Sequence, residues 1–148
     1  MSESGMRSKL VKDLKSLDAI PVENPVRPGT PDINFIEGWI ECKWLRRWPA
    51  NANESPVLIP HFTPQQRIHL ARRYLKGGKT FLMLEIGKEW MLFTGDVAAN
   101  IVGRATRIQL EQNTFRHWKT GLKKQELITC LSNFRNPNVS SSKGVVMD

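Results

Sequence analysis

The spacing of hydrophobic residues changes several times along the chain, and each pattern predicts a secondary-structure element. Between Met6 and Leu17 the apolar residues recur at helical spacing behind Ser4, a suitable N-cap, which predicts an amphipathic first helix. A second helix is predicted to begin at Thr63-Pro64, an N-cap followed by proline at the first helical position, and to end at Gly77-Gly78. A third helix is predicted from about Thr120 to Leu131.

Two other stretches alternate between apolar and polar residues, which is the pattern of half-buried strands. Residues 32–43 are divided by Glu37-Gly38, and residues 80–94 are divided by Gly87-Lys88. Because such dipeptides favour tight turns, each stretch is predicted to form a β-hairpin.

Three segments show neither pattern. Residues 21–31 contain several prolines, which predict an extended connection, and the prolines and asparagines of 44–60 predict an irregular loop. The pattern of residues 95–118 predicts no definite element. A chain of 148 residues has room for one compact domain with one sheet and a few helices. We assign this domain to residues 1–131 and predict a loose tail at 132–148.

The chain is strongly basic, with 22 Lys and Arg residues against 14 Asp and Glu residues and a formal net charge of +8. A surplus of this size on a small domain favours a polyanionic partner, and nucleic acid is the commonest such partner. A generally basic, soluble surface would have the same composition, so charge alone does not decide between these two interpretations.

The two cysteines indicate a reducing environment. Cys42 and Cys130 are too few for a disulfide framework, and they lack the spacing of a zinc site. A reduced, cytoplasmic setting is therefore expected. No uncharged apolar run is long enough to cross a bilayer, so no membrane partner is expected.

The first hairpin is the place where the sequence concentrates chemically useful residues. If Glu37-Gly38 is a two-residue turn, Asn34 lies opposite Glu41 and Asp32 lies opposite Lys43. The same register separates a polar face from an apolar face, which consists of Ile33, Phe35, Ile40 and Cys42.

The polar face would carry two carboxylates, Asp32 and Glu41, beside the ammonium group of Lys43. Mg²⁺ prefers oxygen ligands, so the two carboxylates could bind it together with water and a phosphate oxygen. The metal would polarise the phosphoryl group and activate water, while Lys43 would orient that water or stabilise transition-state charge. The alternative is a cross-strand salt bridge between Asp32 and Lys43 on a solvated hairpin.

The hairpin contains Pro31-Asp32, then eight intervening residues, then Glu41-Cys42-Lys43, and this combination resembles the signature of PD-(D/E)xK nucleases. The longer segment RPGTPDINFIEGWIECKW looks like the VRR-NUC and phage Holliday-junction-resolvase-like branch of that superfamily. In that branch a helix bearing a glutamine follows the second strand. Gln66 is the better match to that glutamine, and Gln65 is the second choice. The resemblance covers roughly residues 6–93.

The resemblance implies an α/β fold of the restriction-endonuclease type, with a central mixed sheet of four or five strands flanked by helices. It also implies a Mg²⁺-dependent DNA endonuclease, with Mn²⁺ as a substitute, in which Asp32 and Glu41 bind metal while Lys43 and Gln66 act beside them. Structure-specific cutting of a junction or flap, or nonspecific cutting, is expected because the small chain has no recognisable sequence-reading module. A homodimer would suit a junction.

Members of this superfamily usually carry a further acidic metal ligand on the first helix, and this chain offers several candidates. Glu3 precedes the predicted helix, Asp13 and Asp18 lie at its middle and end, and Glu23 lies in the connection that follows. Arg7 occupies about the position at which the acidic residue is expected. The sequence leaves the choice among these residues open, including the absence of this ligand.

Basic and aromatic residues near the proposed centre are candidates for DNA contacts. Arginine neutralises phosphates, and tryptophan stacks on unpaired bases. The candidates are Trp44, Arg46 and Arg47 after the second strand, and Arg67, Arg72 and Arg73 on the Gln66 helix. The alternatives are a place in the core for Trp44 and a solvated helix surface for Arg72 and Arg73.

Two other functions fit the same sequence. One is a nucleic-acid-binding protein of the same fold that has lost metal binding, which the missing first-helix acid would favour. The other is a protein-interaction module, such as a phage-encoded inhibitor of a host enzyme. Such a module would bind DNA without a salt dependence, or would not bind it. If a phage encodes the chain, the setting is the host cytoplasm.

Overall fold

The computed structural model describes residues 2–139 and has the predicted α/β fold, with a six-stranded mixed sheet flanked by five α-helices. A short 3-10 turn, Lys15–Leu17, follows the first helix. In chain order the elements are α1 (Glu3–Asp13), β1 (Ile20–Pro21), β2 (Ile33–Phe35), β3 (Gly38–Leu45), α2 (Pro64–Leu75), β4 (Lys79–Ile86), β5 (Glu89–Thr94), α3 (Gly95–Ile101), α4 (Arg107–Asn113), β6 (Arg116–Trp118) and α5 (Lys124–Asn133).

The strands lie side by side in sequence order, from β1 at one edge of the sheet to β6 at the other. Within the described sheet only β3 and β4 are parallel, and all other neighbours are antiparallel. Parallel neighbours need a crossover connection, and α2 lies in that connection. The central strand β4 is buried from Thr80 to Ile86, as expected for a strand covered on both faces.

Two hydrophobic cores lie on the two faces of the sheet. On one face, β2 and β3 pack against α1 and α5 through Ile33, Phe35, Ile40, Cys42, Met6, Leu10, Leu127 and Leu131. On the other face, β4 and β5 pack against α2, α3 and α4 through Leu82, Leu84, Phe93, Leu70, Ala98 and Leu110. The predicted apolar face of the first hairpin is therefore confirmed.

The hairpin formed by β2 and β3 has a different turn from the predicted one. Phe35 pairs with Gly38, so the two turn residues are Ile36 and Glu37. Gly38 belongs to β3, where a Cβ would collide with the backbone of Lys79, so the close approach of β4 is what requires glycine. The register is shifted by two residues from the prediction, and this shift keeps every side chain on its predicted face.

The first and last helices begin at other residues than predicted. Ser2, rather than Ser4, caps α1 by accepting a hydrogen bond from the Gly5 N–H at 3.0 Å, so Glu3 lies in the first turn. The last helix, α5, begins at Lys124 rather than at Thr120.

The segment without a predicted pattern contains α3, α4 and β6, which are too short to show a clear period in the sequence.

Residues 132–139 do not form the predicted loose tail. Phe134 and Asn136 are buried, and the Asn136 side-chain amide donates to the carbonyls of Tyr74 and Gly78, both at 2.8 Å. These bonds hold the end of α2 against the segment that follows α5, so the domain extends beyond residue 131. The remainder of the predicted tail, residues 140–148, lies outside the described residues.

We predict that Asn136→Ala lowers the free energy of unfolding by about 1–3 kcal/mol, because it leaves two carbonyl groups without their donor. Urea unfolding followed by circular dichroism measures this change. Asn138→Ala is the matched control, since Asn138 is exposed and should change stability by less than about 0.5 kcal/mol. Equal unfolding midpoints for the two variants would contradict the proposed tether.

Another buried polar residue, Glu85, lies on β4. In the sheet register it stands between Trp44 of β3 and Trp90 of β5, and its Oε1 atom has no hydrogen-bond partner within residues 2–139. Burial raises the pKa of this carboxyl to about 7. The folded protein therefore keeps a proton on Glu85 at pH values where the unfolded chain has lost it.

We predict that the stability of the wild type falls, relative to Glu85→Gln, as the pH rises from about 4.5 to about 7. Below this window both the folded and the unfolded chain carry the proton, so the carboxyl imposes no penalty. Above the window the folded chain must bury a charge, and the penalty is complete. Urea unfolding at several pH values tests the prediction, and parallel pH profiles of the two proteins would refute it.

Candidate active site

The structure brings Asp32, Glu41 and Lys43 together on the polar face of the first hairpin. Glu41 and Lys43 alternate with core residues along β3, and both are 1% exposed. Ile33 pairs with Ile40, so the same register places Asp32 opposite Glu41 rather than opposite Lys43. The shifted register therefore sets the two carboxylates side by side, which the predicted register did not.

Two donors hold the Asp32 carboxylate in place. Its Oδ2 atom accepts the Cys42 backbone N–H at 2.9 Å, and its Oδ1 atom lies 3.4 Å from the Arg7 guanidinium. Arg7 lies one turn after Glu3 on α1, so the start of this helix reaches the polar face of the hairpin. Asp32 is thus oriented by the sheet on one side and by the first helix on the other.

Glu41 is buried but poorly satisfied. Neither carboxylate oxygen has a hydrogen-bond partner in residues 2–139, although Lys43 Nζ lies 3.4 Å from Oε2 as an ion pair. Burial raises the pKa of Glu41 well above its usual range, the charge of Asp32 raises it further, and Lys43 opposes both effects. Buried polar groups without partners are rare in folded proteins, so this carboxyl needs an explanation.

Lys43 is held by the loop that precedes α2. Its ammonium donates to the His61 carbonyl at 3.0 Å and lies 5.7 Å from the centre of the Phe62 ring. His61 has a φ of 64°, a left-handed conformation that residues with a Cβ rarely adopt. Such backbone strain is common at functional sites, and here it accompanies the carbonyl that binds the lysine.

Glu3 is the first-helix acid that interacts with this group. Burial raises its pKa, the charge of Lys43 lowers it, and the charge of Asp32 raises it, so Glu3 shares the electrostatic environment of the hairpin residues. Asp13 instead pairs with Lys9 at 2.9 Å. The early start of α1 is the reason, because Glu3 then belongs to the first helical turn rather than to the preceding segment.

These residues fit a hard divalent cation. Within residues 2–139 no three His, Cys, Asp or Glu side chains already surround one point as metal ligands. Mg²⁺ does not need such a cage, since it is commonly bound by one or two carboxylates together with water and substrate oxygens. Asp32 and Glu41 supply two carboxylates, and the Glu41 oxygens, which accept no hydrogen bond within residues 2–139, are suitable ligands. Mg²⁺ or Mn²⁺ binding stays a prediction.

Gln66 has a structural contact that the sequence did not reveal. Its side-chain Oε1 accepts the Thr63 N–H at 2.9 Å, and its own N–H donates to Thr63 Oγ1, so the two residues form a capping box. Gln66 makes no hydrogen bond to Asp32, Glu41 or Lys43 in the described structure. Its supporting role in the site therefore stays a prediction.

The six predicted DNA contacts are spread over different parts of the structure. Trp44 lies on the face opposite Glu41 and packs against the core with α1 and α5. Arg67 donates to the Ala99 carbonyl at 3.0 Å and stacks on Phe62 with a 4.2 Å separation, so it links α2 to α3. The four that are exposed are Arg46, Arg47, Arg72 and Arg73.

The sequence interpretation missed two contacts at the site. The approach of Arg7 to Asp32 follows from the helical spacing of Glu3 and Arg7, which places both on one side of α1. The sequence contains this spacing, but its use required the correct start of α1. The bond from Lys43 to the His61 carbonyl had no comparable signal, because it depends on a loop conformation.

No family model, curated protein or solved structure matches this chain. The resemblance to PD-(D/E)xK nucleases therefore stays a prediction from the motif. Among the helices of residues 2–139, none combines the length and the apolar character that crossing a membrane requires.

We predict that Mn²⁺ raises the melting temperature of the wild type, because a cation that binds only the folded state adds about 2.7 kcal/mol of stability at 100 times its Kd. Thermal unfolding with Mn²⁺ and with EDTA measures the shift. Glu41→Ala and Asp32→Asn should lose most of it. Glu37→Ala should keep it, since Glu37 is a half-exposed carboxylate in the turn of the same hairpin. An unchanged shift in Glu41→Ala would exclude this metal site.

Proposed function

We propose that this protein is a Mg²⁺-dependent endonuclease that hydrolyses phosphodiester bonds of DNA. The observation that carries the proposal is the position of Asp32 opposite Glu41, with Lys43 Nζ 3.4 Å from the Glu41 carboxylate. Both Glu41 oxygens lack a hydrogen-bond donor within the described chain. A divalent cation would supply the partner that this buried carboxylate lacks.

Each residue of this group has a separate role in the proposed reaction. When bound, Mg²⁺ would polarise a phosphodiester oxygen and lower the pKa of a bound water. Asp32, oriented by the Cys42 N–H and by Arg7, would bind the cation from the position just before β2, and Glu41 would bind it from β3. Lys43, held by the His61 carbonyl, would orient the attacking water or stabilise negative charge in the transition state.

DNA is the proposed substrate because the chain is basic and because exposed arginines follow β3 and lie on α2. The formal net charge is +8, and Arg46, Arg47, Arg72 and Arg73 are exposed beyond β3 and on α2. Such residues bind phosphates without reading a base sequence. We therefore favour structure-specific cutting of a junction or flap over sequence-specific cutting. A homodimer would suit a junction.

A second candidate function is DNA binding without cleavage. The Arg7 guanidinium lies 3.4 Å from Asp32, so a cation of the protein already neutralises one of the two proposed metal ligands. If this ion pair persists, Asp32 is a weaker ligand. In that case the protein would bind DNA with a salt dependence but would not hydrolyse it.

We predict that the wild type cuts a labelled four-way junction faster than a duplex of matched sequence in Mg²⁺ or Mn²⁺, and that EDTA stops the reaction. Lys43→Met should slow cleavage by about 10²–10³-fold, the usual loss for one charge-stabilising donor. Glu41→Ala should reduce cleavage to the background rate. Gel electrophoresis of the products gives both rates.

Glu37→Ala is the control for these variants because it removes a carboxylate from the same hairpin but outside the polar face. Glu41→Ala cutting at the wild-type rate would show that the proposed centre is wrong. A folded wild type that binds DNA but does not cut it in either metal would favour the second candidate function.

A further inference from the structure

A basic pocket lies beside the candidate active site, between the segment that precedes β2 and the outer surface of α2. Its volume is about 430 Å³. The main lining residues come from three parts of the chain. Arg27 and Thr30 belong to the segment before β2, Trp39 belongs to β3, and His69, Arg72 and Arg73 belong to α2. Two regions about 40 residues apart in the chain thus contribute to one concave surface.

The charge of this pocket is unbalanced. Three arginines line it, and no Asp or Glu does. None of the three guanidinium groups makes an ion pair or a hydrogen bond within residues 2–139. Other arginines of this protein behave differently, since Arg7 pairs with Asp32 and Arg107 pairs with Glu89 at 3.0 Å. Cations that face one pocket without a counter-ion repel one another, and an anion bound there would relieve this repulsion.

One residue that lines the pocket has a buried polar atom without a hydrogen-bond partner in the described chain. His69 Nε2 is buried and has no hydrogen-bond partner in the described chain, although a ring nitrogen is able to donate or accept. Burial lowers the pKa of His69, and the charges of Arg73, Arg72 and Arg27 lower it further. The three charges thus act on the His69 ring, as expected from their common position around the pocket.

Trp39 connects the pocket to the candidate active site. It lies two residues before Glu41 on β3 and on the same face, which corresponds to about 7 Å along a strand. Its half-buried ring meets His69 edge-on at 6.2 Å, and the rest of the ring lines the pocket. The pocket therefore adjoins the position that a phosphate bound at Glu41 would occupy.

We propose that Arg27, Arg72 and Arg73 form a phosphate-binding subsite that holds the DNA strand beside the bond that is cut. This proposal rests on the proposed function for the position of the cut, but the binding itself does not require cleavage. The arginines bind the phosphate oxygens, and the Trp39 ring packs against the adjoining sugar or base. An internal phosphodiester and a terminal phosphate both present negatively charged non-bridging oxygens to such a site.

The experiment measures binding of fluorescein-labelled single-stranded DNA by fluorescence anisotropy in EDTA, where cleavage does not occur. The test variant carries Arg27→Gln, Arg72→Gln and Arg73→Gln, which are substitutions of exposed residues. The control variant carries Lys119→Gln, Lys123→Gln and Lys124→Gln, which removes the same charge from exposed positions around the β6–α5 connection. Circular dichroism verifies that both variants are folded.

We expect the test variant to bind at least about tenfold more weakly than the control. The slope of log K against log salt concentration should also be smaller in magnitude by about 0.7 for each lost phosphate contact. Equal affinities of the two variants, or a loss of affinity without a change in slope, would overturn the subsite. A loss that is larger for DNA with a terminal 5′-phosphate would assign the pocket to a chain end, and an equal loss would assign it to internal phosphates.

The outcomes separate this proposal from the proposed function. Weaker binding by the test variant, combined with a wild type that never cuts DNA, would keep the subsite and reject the nuclease. Metal-dependent cutting by the wild type, combined with equal binding by the two variants, would keep the nuclease and reject the subsite. A wild type that does not bind DNA would overturn both.

Discussion

The parallel pairing of β3 with β4 is the constraint on which the rest of the structure depends. The two strands pair along eight residues, from Gly38 with Lys79 to Leu45 with Ile86. A parallel pair at the centre of a sheet has helices on both faces, so side chains of β3 are buried whether they are apolar or charged. Glu41 and Lys43 are 1% exposed for this reason, whereas in an isolated hairpin the same residues would be solvated.

Burial of this ion pair has an energetic cost. A carboxylate and an ammonium removed from water lose several kcal/mol of hydration each, and their mutual attraction offsets this loss only with good geometry and further hydrogen bonds. Lys43 donates such a bond to the His61 carbonyl, but Glu41 has none in the described chain. The hydrophobic cores on both faces must therefore stabilise a centre that is itself unfavourable, which is typical of residues kept for function.

A comparison with Glu89, a partly buried glutamate, shows why Glu41 stands out. Burial alone would raise the pKa of Glu89, but hydrogen bonds from Trp48 and His117 and the charge of Arg107 hold it below its usual range. Glu89 accepts from Trp48 Nε1 at 2.7 Å and so ties the loop after β3 to β5, which is a structural role. Glu41 is more deeply buried and has no such donors, and this difference is why we propose a metal ligand there.

The alternation of the first hairpin predicted correctly which residues share a face. The prediction of the turn was wrong, since Gly38 meets the backbone of Lys79 rather than closing the turn. The faces survived this error because a shift of two residues preserves the alternation of a strand. The start of α2 was also predicted correctly, because Thr63-Pro64 carries the local signals of a helix N-terminus.

The sequence by itself determined the polar and apolar faces of the hairpin and the helix that begins at Pro64, because these follow from periods and caps within a few residues. Only the tertiary structure decided that Asp32 stands opposite Glu41, that Arg7 pairs with Asp32, that Glu3 shares their electrostatic environment, and that Arg27 joins Arg72 at one pocket. Each of these depends on the packing of segments far apart in the chain, and neither periodicity nor propensity specifies such distances.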